Sequence, residues 1–142
     1  METRIIQMLS LAQHALLQKV EKESLHKSRD QMPQILGKNM AHFKKYLHDK
    51  QISSFDQEIS PDHLKATQDQ FNVDKIEHLM HHPVGTDGVI ISSDKRIVDG
   101  HHRAIASLLN GDKLIKCLEI NLPIQQLLLI LQDYSRVEFK GV

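Results

Sequence analysis

The sequence predicts an α+β fold in which a small mixed sheet is flanked by helices. Three observations predict it. Apolar residues recur at helical spacing over residues 3–27 and again over 73–81. Two short apolar runs, Val89-Ile90-Ile91 and Ile97-Val98, flank a polar turn, Ser92-Ser93-Asp94-Lys95. Residues 113–120 alternate well enough to form a further strand.

Taken in order, residues 3–27 read as one amphipathic helix, with Ile5, Met8, Leu9, Ala12, Leu16 and Val20 on its apolar face. The stretch from Ser28 to Gly37 breaks it, because Pro33 biases Met32 to an extended backbone. Asn39 to His48 can form a short helix. A connector follows over residues 50–61, with a strand near residues 52–55, and Ser60-Pro61-Asp62 suits a helix or turn start. Thr67 to Asn72 is polar and reads as a loop. Asn72 can cap a helix from Val73 to His81 that turns Val73, Ile76, Leu79 and Met80 inward, and Pro83 ends it. Gly85-Thr86-Asp87-Gly88 makes a turn. Two strands follow, near residues 89–92 and 95–98. A helix then runs to Asn110-Gly111, a favourable C-terminal pair. After the strand at 113–120, Pro123 opens a last helix to about Asp133, with a Leu and Ile face that belongs in the core. The polar tail from Ser135 to Val142 is expected to be loose.

Composition narrows the function. A chain of 142 residues suits one domain with a core, and with aromatics at 4% and no Trp that core must be aliphatic. The net charge is zero, so the global basic bias of a dedicated nucleic-acid binder is missing, although Lys38, Lys44 and Lys45 can form a local patch. The single cysteine, Cys117, rules out an intrachain disulfide and a cysteine-based zinc site. It reads as a small buried hydrophobe in a strand. One free thiol, no signal-peptide pattern and no apolar run long enough for a bilayer together lead us to expect a cytoplasmic protein without membrane attachment.

The most informative stretch is Ile97-Val98-Asp99-Gly100-His101-His102-Arg103, set between the hairpin and a helix. Glycine lets a backbone approach a ligand closely. The first N–H groups of a helix lack intrahelical partners and favour anions. Arg103 adds a permanent charge whose fork suits phosphate oxygens. Asp99 can orient a histidine, hold a Mg2+ ion beside phosphates, or accept a proton.

Over roughly residues 60–122 this pattern resembles the ParB/sulfiredoxin-like superfamily. Asp-Gly-His-His-Arg is the form of the loop in the free-serine kinases of that fold, and phage-borne ParB-like proteins resemble the chain elsewhere. The resemblance implies a ParB/sulfiredoxin-like core over residues 51–142, with residues 1–50 as an added N-terminal helical extension that packs on the core or on a second copy. It implies nucleotide phosphates at Gly100, His101, His102 and Arg103, with ATP or ADP as the nucleotide, CTP as a further candidate, and Mg2+ alongside. It also implies a direct catalytic role for Asp99, which would carry the metal. His101 stands where sulfiredoxins carry their cysteine, so sulfinic-acid repair is not expected, and His101 joins the catalytic candidates.

Two further segments resemble parts of the same cleft. Leu64-Lys65-Ala66-Thr67-Gln68-Asp69-Gln70-Phe71-Asn72 is similar to a phage-borne pattern, Pro-Thr-Gln-x-Glu, with Ala66 in place of Pro and Gln70 in place of Glu. Thr67 and Gln68 would line the nucleotide, and Asp69, a further catalytic candidate, is the nearest substitute for the glutamate that serves the kinases as catalytic base. Arg29-Asp30-Gln31-Met32-Pro33-Gln34-Ile35 could fold over the cleft and read a substrate through Arg29 and Gln34. His78, His81 and His82 share one helix face at a spacing that can bind zinc, although a solvated helix end explains them as well.

These readings lead first to a phosphoryl-transfer enzyme, a small-molecule kinase with an unidentified acceptor or a nucleotide hydrolase. The alternative is a non-enzymatic module that uses nucleotide as a switch, with DNA or a partner protein as its target. DNA is not favoured by the charge balance, and a homodimer stays open. A ParB-like nuclease is the weakest reading, because no paired acidic cluster is evident.

Overall fold

The computed structural model describes residues 10–28, 31–35, 37–82, 89–134 and 138–139. They form five α-helices and a four-stranded mixed sheet, the α+β architecture that the periodicities predict. In chain order the elements are α1 (Leu11–Glu23), β1 (Pro33–Gln34), α2 (Met40–Asp49), β2 (Ser54–Ile59), α3 (Val73–His81), β3 (Ile90–Ile91), β4 (Ile97–Asp99), α4 (His101–Leu109), β5 (Ile115–Ile120), α5 (Ile124–Gln132) and β6 (Glu138–Phe139). Short 3₁₀ turns lie at Gly37–Asn39 and Pro61–His63.

The sheet runs β2-β5-β3-β4. β2 is antiparallel to β5, β5 is parallel to β3, and β3 is antiparallel to β4. Alternation along the strands divides the core between the two faces of the sheet. Ile90, Val98, Leu118 and Ile120 face α2 and α5, where they meet Phe43, Leu47, Leu127 and Leu131. Val89, Ile91, Ile97, Ile115 and Cys117 form the other face with Ala104 of α4. A third cluster joins Leu17 of α1, Ile76 of α3, and Ile105, Ala106 and Leu109 of α4. Burying such aliphatic side chains is worth about 1.5–3 kcal/mol each before chain entropy is charged against it.

Several expected boundaries shift for identifiable reasons. α1 starts at Leu11 because Ser10 and Gln13 form a reciprocal capping box. It ends at Glu23, four residues short of the expected end. Ser24 turns extended there, and the chain leaves to pair Lys27 with Gln68. Leu17 is the buried residue of α1, whereas Leu16 and Ala12, expected inward, lie outside. The strand expected near residues 52–55 is β2, which is longer and later. Its mixed sequence Ser-Phe-Asp-Gln-Glu-Ile hides an edge strand that takes its register from β5, from Ser54 opposite Ile120 to Ile59 opposite Ile115. The tail is not wholly loose, since β6 pairs with β1. The helix part before Ser10 and the turn at 83–88 lie outside the described residues.

Cys117 sits in β5 against Gln57 of β2, as its apolar surroundings suggested. Burial first, then the nearby Glu119 carboxylate, push its thiol up to about 11. The folded value is raised, so this group's contribution to stability is whole below the ordinary thiol value of 9.0 and is lost as pH rises toward about 11. We expect Cys117 to resist iodoacetamide at pH 8 in the native protein and to react at once in denaturant. Rapid native alkylation, followed by mass spectrometry, would contradict this burial.

Candidate functional site

The site is built where β4 ends. Asp99 closes the strand, and Gly100 turns the chain with φ 89°, a left-handed conformation that favours glycine. α4 begins at His101, with Gly100 as an N-cap that offers no side chain. The helix starts three residues before the run Ala104–Leu109, so both histidines belong to its first turn.

Asp99 fastens two segments. Its Oδ1 accepts from the Gly100 N–H at 2.8 Å, and its Oδ2 accepts from the Ile35 N–H at 2.8 Å. The strap that contains Gln34 is thus held against the end of β4, and Gln34 itself is half-buried. Arg29 lies outside the described residues.

His101 and His102 are both buried, at 4% and 5% exposure. Their Nε2 atoms accept from main-chain N–H groups of the polar segment Thr67–Asn72. His101 accepts from Thr67 at 3.1 Å, and His102 accepts from Asn72 at 3.0 Å. An N–H donor requires a lone pair opposite it, so neither Nε2 carries a proton in this arrangement. The hydroxyl of Thr67 donates to the Ile97 carbonyl at 2.7 Å and lies 3.1 Å from the His101 ring. Phe71 packs beside both imidazoles, with centroids 6.3 Å away. The two rings clamp both ends of the segment expected to line the cleft. Arg103, on the next position of the helix, is half-buried and brings the guanidinium of the loop.

Within that segment Gln68 is buried, and its amide donates to the Gln70 carbonyl at 2.8 Å. Asp69 faces the other way. Its Oδ2 lies 2.9 Å from His26 Nδ1, and its N–H donates to the Lys27 carbonyl at 3.2 Å. The structure therefore brings Asp99, Gly100, His101, His102, Arg103 and Thr67 together. Asp69 stands on the side of the segment that meets the end of α1.

Two residues escaped the sequence reading. His26, the partner of Asp69, adopts φ 57° and gave no local pattern to find. Glu77 is buried at 2% on α3, the helix that packs on α4. A signal for it existed. Val73, Glu77 and Met80 fall at i, i+4 and i+7, so the inward stripe of α3 contains a carboxylate.

No family model matches the chain, and no curated protein matches it. Among solved structures it is similar in fold to a Pnob8-like ParB-N domain, with 18% identity and a TM-score of 0.44 over 53% of this chain and 33% of that one. The chain spans about a third of the length of that structure.

The clamp leads to a direct expectation. His101→Phe keeps an aromatic ring, six-membered in place of five, and deletes the acceptor, which leaves the Thr67 N–H buried without its ring partner. A loss of about 1–3 kcal/mol in urea unfolding is expected. An unchanged midpoint and slope would show that the ring nitrogen holds nothing.

Proposed function

We propose that the protein binds a nucleotide by its phosphates at the start of α4, between the loop Asp99–Arg103 and the segment Thr67–Asn72. The observation that carries this reading is the left-handed Gly100, an N-cap without a side chain, before a helix with Arg103 in its first turn. A helix start of this form offers main-chain N–H groups and the positive end of the dipole to an anion. The resemblance of Asp-Gly-His-His-Arg to the loop of free-serine kinases supports the choice of a nucleotide, with ATP or ADP first and CTP next.

Phosphoryl transfer in such a site needs charge neutralisation and alignment more than covalent chemistry. Asp99 is the carboxylate nearest the loop. Its oxygens hold the Ile35 and Gly100 N–H groups, which fix the carboxylate at the rim of the loop. A carboxylate so placed suits a Mg2+ ion accompanying the phosphates or the proton of an acceptor hydroxyl. Asp69, beside His26, is the other acid of the segment.

A second reading is favoured by the Asp99 contact to Ile35. The carboxylate ties the phosphate loop to the 31–35 strap, and the two histidines tie it to Thr67 and Asn72. Phosphate on the loop would therefore shift both flanking segments, as a nucleotide-switched binding module requires.

Calorimetry with ATP, ADP, CTP and GTP, with and without Mg2+, tests the reading. Saturable binding of at least one nucleotide is expected. Arg103→Ala should weaken it by about 1.5–3 kcal/mol through loss of a charge-assisted contact. Affinity unchanged in that variant would place the phosphates elsewhere. Product analysis with free serine and other hydroxyl acceptors separates the two readings, since turnover is expected of the enzyme and none of the switch.

A further inference from the structure

At the end of α3 away from Asn72, His78 and His82 stand one turn apart on an exposed surface. Their rings are 4.5 Å apart between centroids and inclined by 19°. His82 Nδ1 faces the carbonyl of His78 at 3.3 Å. A carbonyl oxygen only accepts, so Nδ1 must carry the proton and donate. The lone pair of a neutral His82 then lies on Nε2, directed away from the helix backbone.

We propose that His78 and His82 form a two-imidazole site for a divalent transition-metal ion, with Zn2+ as the expected occupant and water in the remaining positions. Four features support it. His82 is the C-cap that follows α3, and its ring stacks on that of His78 four residues earlier, the i, i+4 spacing of paired zinc ligands on a helix. Metal-bound imidazoles characteristically give their other N–H to a main-chain carbonyl, and His82 already does so. Two nitrogens bound to one tetrahedral Zn2+ stand about 3.3 Å apart, and the rings, stacked at 4.5 Å, reach that separation once a side-chain rotation turns their in-plane lone pairs toward a common point. The site also lies on the last turn of a helix, where the dipole favours positive charge.

Among the described residues no group of three or more His, Cys, Asp and Glu side chains could hold a metal ion. Among the described residues the site is a two-ligand chelate whose remaining positions go to water. It stands apart from the phosphate loop. His78 lies six residues from Asn72, so at 1.5 Å per residue about 9 Å of helix separates it from the end that His102 holds.

Titration of the full chain with ZnCl2 by calorimetry tests the proposal. One Zn2+ per chain is expected. His78→Ala and His82→Ala should each weaken it tenfold or more. His48→Ala, an exposed histidine on α2 with no histidine four residues away, should leave it unchanged. Electron paramagnetic resonance of the parent protein with one equivalent of Cu2+ gives an independent reading, in which two coupled imidazole nitrogens are expected. The proposal is overturned if the parent shows no one-site isotherm, if either α3 variant binds as the parent does, or if the copper spectrum shows a single nitrogen.

Discussion

Asp94, Arg96, Asp99, His101 and His102 each hold main chain that belongs to another part of the fold. Asp94 accepts from the Ile124 N–H at 3.1 Å and so fixes the start of α5. One nitrogen of Arg96 donates to the carbonyls of Glu23 and Ala66, at 2.8 and 2.9 Å, and so ties the end of α1 to the Thr67 segment. Asp99 takes Ile35, His101 takes Thr67, and His102 takes Asn72. The hairpin turn and the loop after it form one ten-residue stretch, 94–103, through which helices, straps and sheet are mutually registered. A hydrogen bond of this kind contributes about 1 kcal/mol net, yet leaving its buried donor unmatched costs about 1–3 kcal/mol. The bonds therefore decide the arrangement more than they decide the total stability.

The apolar clusters explain why a stretch so polar can be central. One face of the sheet is closed by α2 and α5, and the other by α4, so the hairpin is packed on both sides by aliphatic side chains. That packing removes water from the loop's neighbourhood and raises the cost of any unmatched polar atom. It also places the start of α4 beside two irregular segments instead of between two rigid helices. A ligand on the loop would be felt by the segments hydrogen-bonded to it, while the sheet stays in place. Substitutions in the stretch 94–103 should for the same reason be non-additive, because their partners share one network.

Periodicity and turn chemistry made most of the fold legible. The helix from Val73 to His81, the hairpin and the α+β class follow from residue spacing, and Asn72 caps α3 as its side chain suggests. Non-local pairing was not legible. β2 owes its length to β5, and β6 owes its existence to β1, neither of which is written in the strand's own residues. The end of α1 was misplaced because a polar stretch that could continue a helix instead gains a partner in Gln68. In the candidate site, the density of His and Arg after Gly100 singles out the loop. The sequence could not tell which atoms face a ligand and which face the protein. An imidazole suits either use, and here the choice rests on where the Thr67 and Asn72 N–H groups lie.

Amide hydrogen exchange resolved by residue, with and without saturating Mg-ATP, tests most directly the claim that phosphate binding at this loop is coupled to the segments it holds. The account predicts that protection rises at the first turn of α4 and, with it, at Thr67, Asn72 and Ile35, while amides of β5 paired within the sheet are unchanged. Nucleotide-dependent protection confined to some other surface, or no change at the start of α4 under conditions where calorimetry shows the nucleotide bound, would contradict it.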